Sequence, residues 1–266
     1  MTERTLKFVG VGPAKTRTTW LHDIFAQHPA LSMPSKVKET YFFDSRFSEG
    51  WDWYLRHFKP GVQPLAEFCP SYFQSPAALH HLSNFPGVKI IITLRDPLKR
   101  SLSHFWHSYA KGRYRSFEHA LIKNPNIVWA SRYSVVVADW RRAFGERCVV
   151  VNSDTLVREP NVSLPQLCEF LDLPFDFSHL DLSKIVNEAS SPRIRWLGAA
   201  AAAAAKKARA SGLHGVTEVG KALGLKKAFF RRRDPGDLDS VIDESARDVL
   251  ASALAAEEGW EDLCDF

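Results

Sequence analysis

Cysteine is scarce in this sequence, and its spacing fits neither a metal site nor a redox motif. The chain has 266 residues and four cysteines, with no CxxC pair and no cysteine/histidine cluster. This pattern argues against a structural zinc site and a thioredoxin-like function, so no metal is expected. Three of the four (Cys69, Cys148 and Cys168) lie in apolar stretches. We therefore expect buried free thiols and a reducing compartment, the cytoplasm.

Long apolar runs are also absent. No stretch reaches the roughly 18 residues that would indicate a transmembrane helix. The longest candidate, 197–205, is short and is followed by Lys206 and Lys207. The first residues lead directly into a strand-like run, so no secretory signal peptide is expected.

The excess of positive charge is small. The formal net charge is +5, with both signs interspersed, and 45% of the residues are hydrophobic. Such a chain can form a sizeable core and favours an anionic ligand without requiring nucleic acid. No repeat or linker divides it, so we predict a single domain over 1–266, with 190–235 as a variable, basic, helical insertion or lid.

Strands and helices are predicted to alternate along the chain. Short apolar or β-branched runs predict strands at 6–11, 65–68, 89–94 and 148–152. Helical spacing and start signals predict helices at 18–27, 51–58, 75–84, 97–109, 133–144, 163–171 and 243–258. This alternation predicts an α/β fold with a parallel central sheet.

The loop after the first predicted strand, GPAKTRTT at 12–19, has the features of an anion site. It lies at the carboxyl end of a strand and before a helix, whose N–H groups and dipole favour an anion. Lys15 adds a charge, and Thr16, Thr18 and Thr19 add hydroxyls. The loop does not match G-x-x-x-x-G-K-[ST]. The alternative is that Thr18 merely caps the helix and Lys15 is solvated.

A second candidate follows the strongest predicted strand, 89–94. That strand delivers Arg95 to the same edge of the sheet, and Ser103 lies about two turns into the next helix. Arginine can bind a phosphate through two N–H donors, and serine can add a third donor. The alternative pairs Arg95 with Asp96 or with a helix end.

Together, GPAKTRTTWL and IIITLRDPLKRSLSHFWH resemble the two donor-binding signatures of sulfotransferases that use 3'-phosphoadenylyl sulfate (PAPS). The resemblance implies a P-loop-like three-layer sandwich, flanking helices around a parallel sheet. It implies that Lys15, Thr16, Arg17, Thr18 and Thr19 surround the 5'-phosphosulfate. It also implies that Arg95 and Ser103 hold the 3'-phosphate, which remains in the product 3',5'-ADP.

Two further segments are similar to the heparan sulfate branch and to bacterial enzymes that sulfate small metabolites. They are KETYFFD at 38–44 and EFCPSYF at 67–73. In that branch a Glu before an F-F-D stretch is the general base, which implies this role for Glu39. Lys15 would stabilise the leaving group during in-line transfer. The alternative for Glu39 is a surface pair with Lys36 or Lys38.

Two positions depart from the family pattern. Position 17 is Arg where the family often has Gly, so the loop is expected to contact the sulfonate differently. Phe68 replaces a lysine that meets an anionic sugar chain, which favours a less charged acceptor. His104 and His107 are expected to line or support the pocket, and the alternative is that one of them assists the base.

The resemblance implies two more donor contacts. Tyr133 would lie close to the nucleotide, although a core tyrosine is equally compatible with its surroundings. Arg193 is the candidate for an extra phosphate ligand.

The expected function is transfer of a sulfonate from PAPS to a hydroxyl of a carbohydrate, lipid or secondary metabolite. The alternative is a kinase-like, nucleotide-binding P-loop enzyme, which needs an acidic magnesium ligand after a strand. A further alternative is a binding role for the basic segment 206–233 on an acidic membrane or another anionic partner.

Overall fold

The computed structural model describes residues 5–61, 64–176 and 242–266, together with the backbone of 190–192 and 230–232. The chain divides into two compact units. The first unit comprises 1–100, 130–187 and 254–266, and the second comprises 101–129 and 188–253.

Four parallel strands form the sheet of the first unit. They are β1 (Leu6–Gly10), β2 (Leu65–Phe68), β3 (Lys89–Leu94) and β4 (Cys148–Asn152). Their order across the sheet is β2-β1-β3-β4. β3 and β4 carry the β-branched runs KIIITL and CVVVN, which are typical of parallel strands covered on both faces. The predicted parallel α/β sheet is confirmed.

Helices precede, connect and follow these strands. They are α1 (Thr18–Phe25), α2 (Phe42–Ser45), α3 (Trp51–Leu55), α4 (Pro76–Ser83), α5 (Pro97–Tyr109), α6 (Phe117–Lys123), α7 (Asn126–Trp129), α8 (Tyr133–Phe144), α9 (Ser153–Arg158), α10 (Pro160–Phe170) and α11 (Glu244–Ala253). Short 3₁₀ turns occupy Phe47–Glu49, Pro70–Gln74, Gly145–Arg147, Ala255–Glu257 and Trp260–Leu263.

Side-chain caps mark the starts of several helices of the first unit, including α4 and α8. Ser75 accepts a hydrogen bond from the backbone N–H of Ala78 (3.1 Å) at the start of α4, as its sequence predicts. The buried carboxylate of Glu257 accepts from the N–H groups of Tyr133 (2.9 Å) and Ser134 (3.1 Å) at the start of α8. A distant carboxylate thus satisfies donors that α8 itself cannot.

An apolar cluster covers each face of the sheet. Ile90 and Ile92 belong to one cluster, with side chains from α2, α3, α4 and α8. Ile91 belongs to the other, with side chains from α1, α9 and α10. The alternation along β3 follows from the two-residue period of a strand. The first unit therefore has helices on both faces of the sheet, which is the three-layer arrangement the sequence predicts.

Short segments outside the named strands pair with the two outer strands and so cover both edges of the sheet. Beside β2, the N–H of Ala66 donates to the carbonyl of Ser32 (3.0 Å). Beside β4, the N–H of Asp265 donates to Val150 (2.7 Å), and the carbonyl of Phe266 accepts from Asn152 (2.9 Å).

The second unit has its own aromatic contact and a short strand pair. Phe105 of α5 and Phe117 of α6 pack edge to face, with ring centroids 5.1 Å apart. Strand β5 (Ser190–Pro192) pairs antiparallel with β6 (Phe230–Arg232). These two strands are the described part of 190–235. The single domain over 1–266 and the helical insertion or lid stay predictions.

Gly12 lets the loop after β1 pass close to β3. A Cβ built on Gly12 would lie 2.4 Å from Oγ1 and 2.5 Å from the backbone N of Thr93. Because part of this obstacle is backbone in the central sheet, it cannot move aside cheaply. The close passage therefore requires glycine at position 12.

We expect Gly12→Ala to lower the free energy of unfolding by about 3 kcal/mol, the upper end of the usual cost of overpacking. Urea denaturation measures this change. The control is Gly87→Ala, where the added Cβ meets nothing within 4 Å and only the positive φ of 75° opposes it. An equal loss in the two variants would contradict the steric argument.

Candidate active site at the carboxyl edge of the sheet

The carboxyl ends of the four parallel strands carry most of the predicted functional residues. β1 runs into the loop 12–17, β3 into Arg95, and β4 into Asp154 in the first turn of α9. On the other side of β1, Glu67 near the end of β2 pairs in register with Val9. This is the edge at which open α/β sheets bind ligands.

Two residues of the loop have left-handed backbone conformations. Lys15 has φ 81° and Arg17 has φ 66°, one on each side of Thr16. Left-handed residues within a loop turn successive N–H groups toward one side, which forms an anion-binding concavity. The cap position of α1 is Arg17, with no side-chain cap, and Thr18 is the first helical residue. The alternative in which Thr18 caps the helix is therefore wrong.

The three threonines of the loop differ in burial. Thr16 is fully buried, and its hydroxyl donates to the carbonyl of Pro13 (2.7 Å) and lies 2.8 Å from Oγ1 of Thr93. That hydroxyl holds the loop against β3. Thr18 is buried and Thr19 is exposed. Donor binding by these threonines stays a prediction.

Arg100 is a buried residue of this edge that the sequence analysis missed. Its guanidinium donates to Oγ of Ser131 and to the carbonyl of Ala14 (3.2 Å). Ser131 in turn donates to the carbonyl of Pro97 (2.9 Å). Burial lowers the pKa of Arg100 to about 10. Arg100 thus connects the loop to the first turn of α5. No pattern in the local sequence distinguishes Arg100 from a surface arginine.

Arg95 and Arg17 both approach the carboxylate of Asp154. Arg95 Nε lies 3.5 Å from Oδ2, and an Arg17 terminal nitrogen lies 3.8 Å from Oδ1. The pairing of Arg95 with Asp96, the alternative drawn from the sequence, is wrong. Asp96 instead accepts a hydrogen bond from the N–H of Lys99 (2.6 Å) at the start of α5.

Tyr133 lies in the core beneath Arg95. Its side chain is fully buried, and its hydroxyl donates to the carbonyl of Arg95 (2.8 Å). This contact fixes the backbone from which the Arg95 side chain projects. Direct contact of Tyr133 with the donor stays a prediction.

Glu39 has two side-chain partners. Nζ of Lys38 lies 3.0 Å from its Oε1, and the hydroxyl of Tyr41 donates to its Oε2 at 2.6 Å. The pair with Lys38, one of the two alternatives, is therefore present. The Glu39 side chain remains 28% exposed and so accessible to a ligand.

A buried carboxylate holds the segment that carries Glu39. Oε2 of Glu67 accepts from the hydroxyl of Thr40 (2.8 Å). Its Oε1 accepts from the hydroxyls of Tyr72 (3.0 Å) and Tyr54 (3.2 Å). Because Thr40 follows Glu39 directly, these bonds attach the Glu39 segment to the end of β2.

Burial dominates the ionisation of this network. It raises the pKa of Glu67 to about 7, and the three hydroxyl donors reduce that rise. Burial and then the charge of Glu67 also raise the pKa of the Tyr54 and Tyr72 hydroxyls. The hydroxyls therefore remain protonated donors to the carboxylate.

Phe68 is not part of the acceptor surface. It is fully buried, lies where a side chain on Gly10 would stand, and packs against Phe8 and Phe25. The side chain points into the apolar cluster, and the expectation that the missing lysine favours a less charged acceptor stays a prediction. The substitution fills the core instead.

The remaining predicted residues lie in the second unit or outside the described residues. Ser103, His104 and His107 lie on α5 within the second unit. Arg193 and 206–229 lie outside the described residues.

The four cysteines are free thiols, and Cys69, Cys148 and Cys168 are buried as expected. In the part of the chain that the structure describes, no group of three or more His, Cys, Asp or Glu side chains is arranged to hold a metal ion. No described helix combines the length and apolar character that crossing a membrane requires.

Comparison with known proteins supports the likeness found in the sequence. The profile described as "Sulfotransferase family" matches residues 51–177, which include Arg95 and Ser103 but not the loop 12–19 or Glu39. A crystal structure of a sulfotransferase from Alicyclobacillus acidocaldarius is 26% identical, with a TM-score of 0.59, over 68% of this chain and 86% of that one.

Curated relatives match over part of their length. A membrane-associated sulfotransferase, kil1, from Dictyostelium discoideum is 31% identical over 46% of this chain and 28% of the relative. A bifunctional heparan sulfate N-deacetylase/N-sulfotransferase 1 from Caenorhabditis elegans is 28% identical over 62% of this chain and 22% of the relative. The chain therefore aligns with less than a third of either relative.

We expect Glu67 to make the stability of the fold depend on pH. Its folded pKa of about 7 exceeds the ordinary 4.5. The folded state therefore binds the proton more tightly, and stability falls as pH rises between these values, by as much as about 3 kcal/mol. Glu67→Gln removes the charge and should flatten this dependence.

Urea unfolding of the wild type and Glu67→Gln from pH 4.5 to 7.5 measures the difference. The exposed Glu146→Gln is the matched control and should keep the wild-type slope. The same slope in Glu67→Gln would show that Glu67 does not carry the effect.

Proposed function

The chain belongs to the sulfotransferase family, and on this premise we propose that it transfers a sulfonate group from PAPS to a hydroxyl of an acceptor. The order of functional groups along the sheet edge carries the proposal. Glu39 is attached to the end of β2 through Thr40 and Glu67, the anion loop follows β1, and Arg95 follows β3.

This order matches the parts of the reaction. A base lies on one side of the loop and an arginine on the other. Neighbouring strands are about 4.8 Å apart, so β2 and β3 are about 10 Å apart across β1. An extended nucleotide with its sulfonate toward β2 and its 3'-phosphate toward β3 fits this spacing. Donor contacts from Ser103, Tyr133 and Arg193 remain part of the proposal on the strength of the resemblance.

In the proposed reaction, Glu39 takes the proton of the acceptor hydroxyl as that oxygen forms a bond to sulfur. The bond between sulfur and the bridging phosphate oxygen breaks, and 3',5'-ADP leaves with the electron pair. Lys38 and the hydroxyl of Tyr41 orient the Glu39 carboxylate before the transfer. Lys15 stabilises the charge that develops on the leaving oxygen.

The acceptor is proposed to be a carbohydrate, a lipid or a secondary metabolite. Tyr41, which contacts the base, is 41% exposed, and Phe47 beside α2 is 38% exposed. An exposed tyrosine ring in contact with the base, with a second exposed aromatic ring after α2, favours an acceptor with a ring or another apolar face. The name of one relative includes heparan sulfate, and the acceptor proposed for this chain also includes smaller molecules.

A cytoplasmic location is also part of the proposal, supported by the four free thiols. Contact of 206–233 with an acidic membrane remains a separate proposal. Loss of salt-sensitive vesicle binding when Arg231, Arg232 and Arg233 are replaced would support it.

The acidic residue that a kinase-like enzyme would need is already paired with two arginines. Asp154 is an acidic side chain that follows a strand, but its carboxylate lies between two guanidiniums. Such a carboxylate is a poor magnesium ligand, because the neighbouring cations repel the ion. The nucleotide separates the two functions: a sulfotransferase binds 3',5'-ADP far more tightly than 5'-ADP, and a kinase does not.

We expect Glu39→Gln to abolish sulfonate transfer while leaving the affinity for 3',5'-ADP within about twofold, because the base is needed for proton removal only. Transfer is measured with radiolabelled PAPS and a panel of phenols, sugars and lipids. Glu49→Gln, an exposed carboxylate paired with Arg46, is the control. Unchanged turnover in Glu39→Gln would rule Glu39 out as the base.

We expect Arg95→Ala to weaken 3',5'-ADP by about 10- to 100-fold, the value of one or two charged hydrogen bonds. Affinity for 5'-ADP, which lacks the 3'-phosphate, should stay nearly unchanged. Isothermal titration calorimetry measures both, with the exposed Arg142→Ala as control. Equal weakening of the two nucleotides would contradict the assignment of Arg95.

A further inference from the structure

The Arg17 side chain extends out of the loop toward a carboxylate that follows β4. A terminal nitrogen of Arg17 lies near the carboxylate of Asp154, on the far side of β3. Arg95 lies near the same carboxylate. We propose that Arg17 supplies a second guanidinium to the subsite for the 3'-phosphate, and that Asp154 is the positioning residue that aligns Arg17 with Arg95. This inference rests on the proposed function, because it assumes a nucleotide with a 3'-phosphate.

Both guanidiniums keep N–H groups that are available to bind a ligand. The separations from Asp154, 3.5 and 3.8 Å, are ion-pair distances longer than hydrogen bonds. Nε of Arg17 and Nε of Arg95 are buried and make no hydrogen bond. Buried donors without acceptors are costly, and a phosphate between the two side chains would satisfy them.

The net charge of Arg17, Arg95 and Asp154 also favours a phosphate at this subsite. Two guanidiniums share one carboxylate, so the three side chains carry a net positive charge. Burial, and then the like charge of Arg95, lower the pKa of Arg17, while Asp154 opposes this. A dianionic phosphate compensates the excess charge better than a further neutral group.

The strand order distinguishes the 3' side from the 5' side. The loop that would hold the 5'-phosphosulfate follows β1, and Asp154 follows β4, with β3 between them. A side chain that extends from the loop to Asp154 therefore passes to the Arg95 side of the loop. Glu39, attached at β2, lies on the opposite side.

Three nucleotides test the role of Arg17 in the 266-residue chain. We expect Arg17→Ala to weaken 3',5'-ADP and adenosine 3'-monophosphate by about tenfold or more, as for loss of a charged hydrogen bond. We expect 5'-ADP to change by less than about twofold, because it lacks the 3'-phosphate. Equal weakening of all three, or no weakening, would overturn the proposal.

The role of Asp154 is tested by the sign of an effect. If Asp154 only repelled the phosphate, Asp154→Asn would tighten 3',5'-ADP. A positioning role predicts the opposite: the guanidiniums separate, and 3',5'-ADP weakens by about threefold or more while 5'-ADP is unchanged. Tightening, or no change, would remove the positioning role.

Two controls separate failure of this inference from other failures. Arg158→Ala, an exposed arginine on α9 paired with Glu159, should leave all three affinities at the wild-type value. If the wild type itself binds 3',5'-ADP no better than 5'-ADP, the proposed function fails. If the wild type discriminates and Arg17→Ala discriminates equally well, only the role of Arg17 fails.

Discussion

The pairing of β1 with a parallel strand on each side determines where the loop, the Glu39 segment and Arg95 stand. The hydrogen bonds continue past the strand ends, from the N–H of Val11 to Ile91 (2.9 Å) and from the N–H of Cys69 to Gly10 (2.9 Å). Three segments therefore leave the sheet side by side and in the same direction. A shift in the register of β1 would move the loop relative to both the Glu39 segment and Arg95.

Two buried polar side chains convert this backbone arrangement into a defined site. Glu67 holds the Glu39 segment through Thr40, and Arg100 holds the carbonyl of Ala14 in the loop. Neither side chain is exposed, so neither is a candidate to contact a ligand. Buried polar groups with satisfied hydrogen bonds cost stability to install and restrict the conformations available around them. Here that restriction falls on the two segments proposed to do the chemistry.

The parts of the structure that follow from local pattern were predictable, and those that depend on distant contacts were not. The bounds of β2, β3 and β4 agree with prediction, because short apolar and β-branched runs indicate buried strands. The short helices α2, α6, α7 and α9 were missed, and α10 begins three residues before its predicted start at 163. Isolated helices of this length are unstable, so tertiary packing decides where they form.

The site shows the same division. The loop, Arg95 and Glu39 were identified from motifs, whereas Asp154 and Arg100 were not, because their partners are distant in sequence. The burial of Phe68 was not foreseen, because both Glu67 and Phe68 are buried and the expected alternation between inside and outside does not hold there. Burial on both faces is itself a property of a central parallel sheet.

The segments beside β2 and β4 have a consequence for self-association. An uncovered strand offers a row of N–H and C=O groups to which another chain can add. In this sheet Ser32 pairs along one outer strand, and Asp265 and Phe266 pair along the other. Arg141 secures the second cover by donating to Asp265 (2.8 Å). Where these residues pair, the sheet offers no free backbone groups for extension by another copy, which disfavours aggregation through edge-to-edge strand addition.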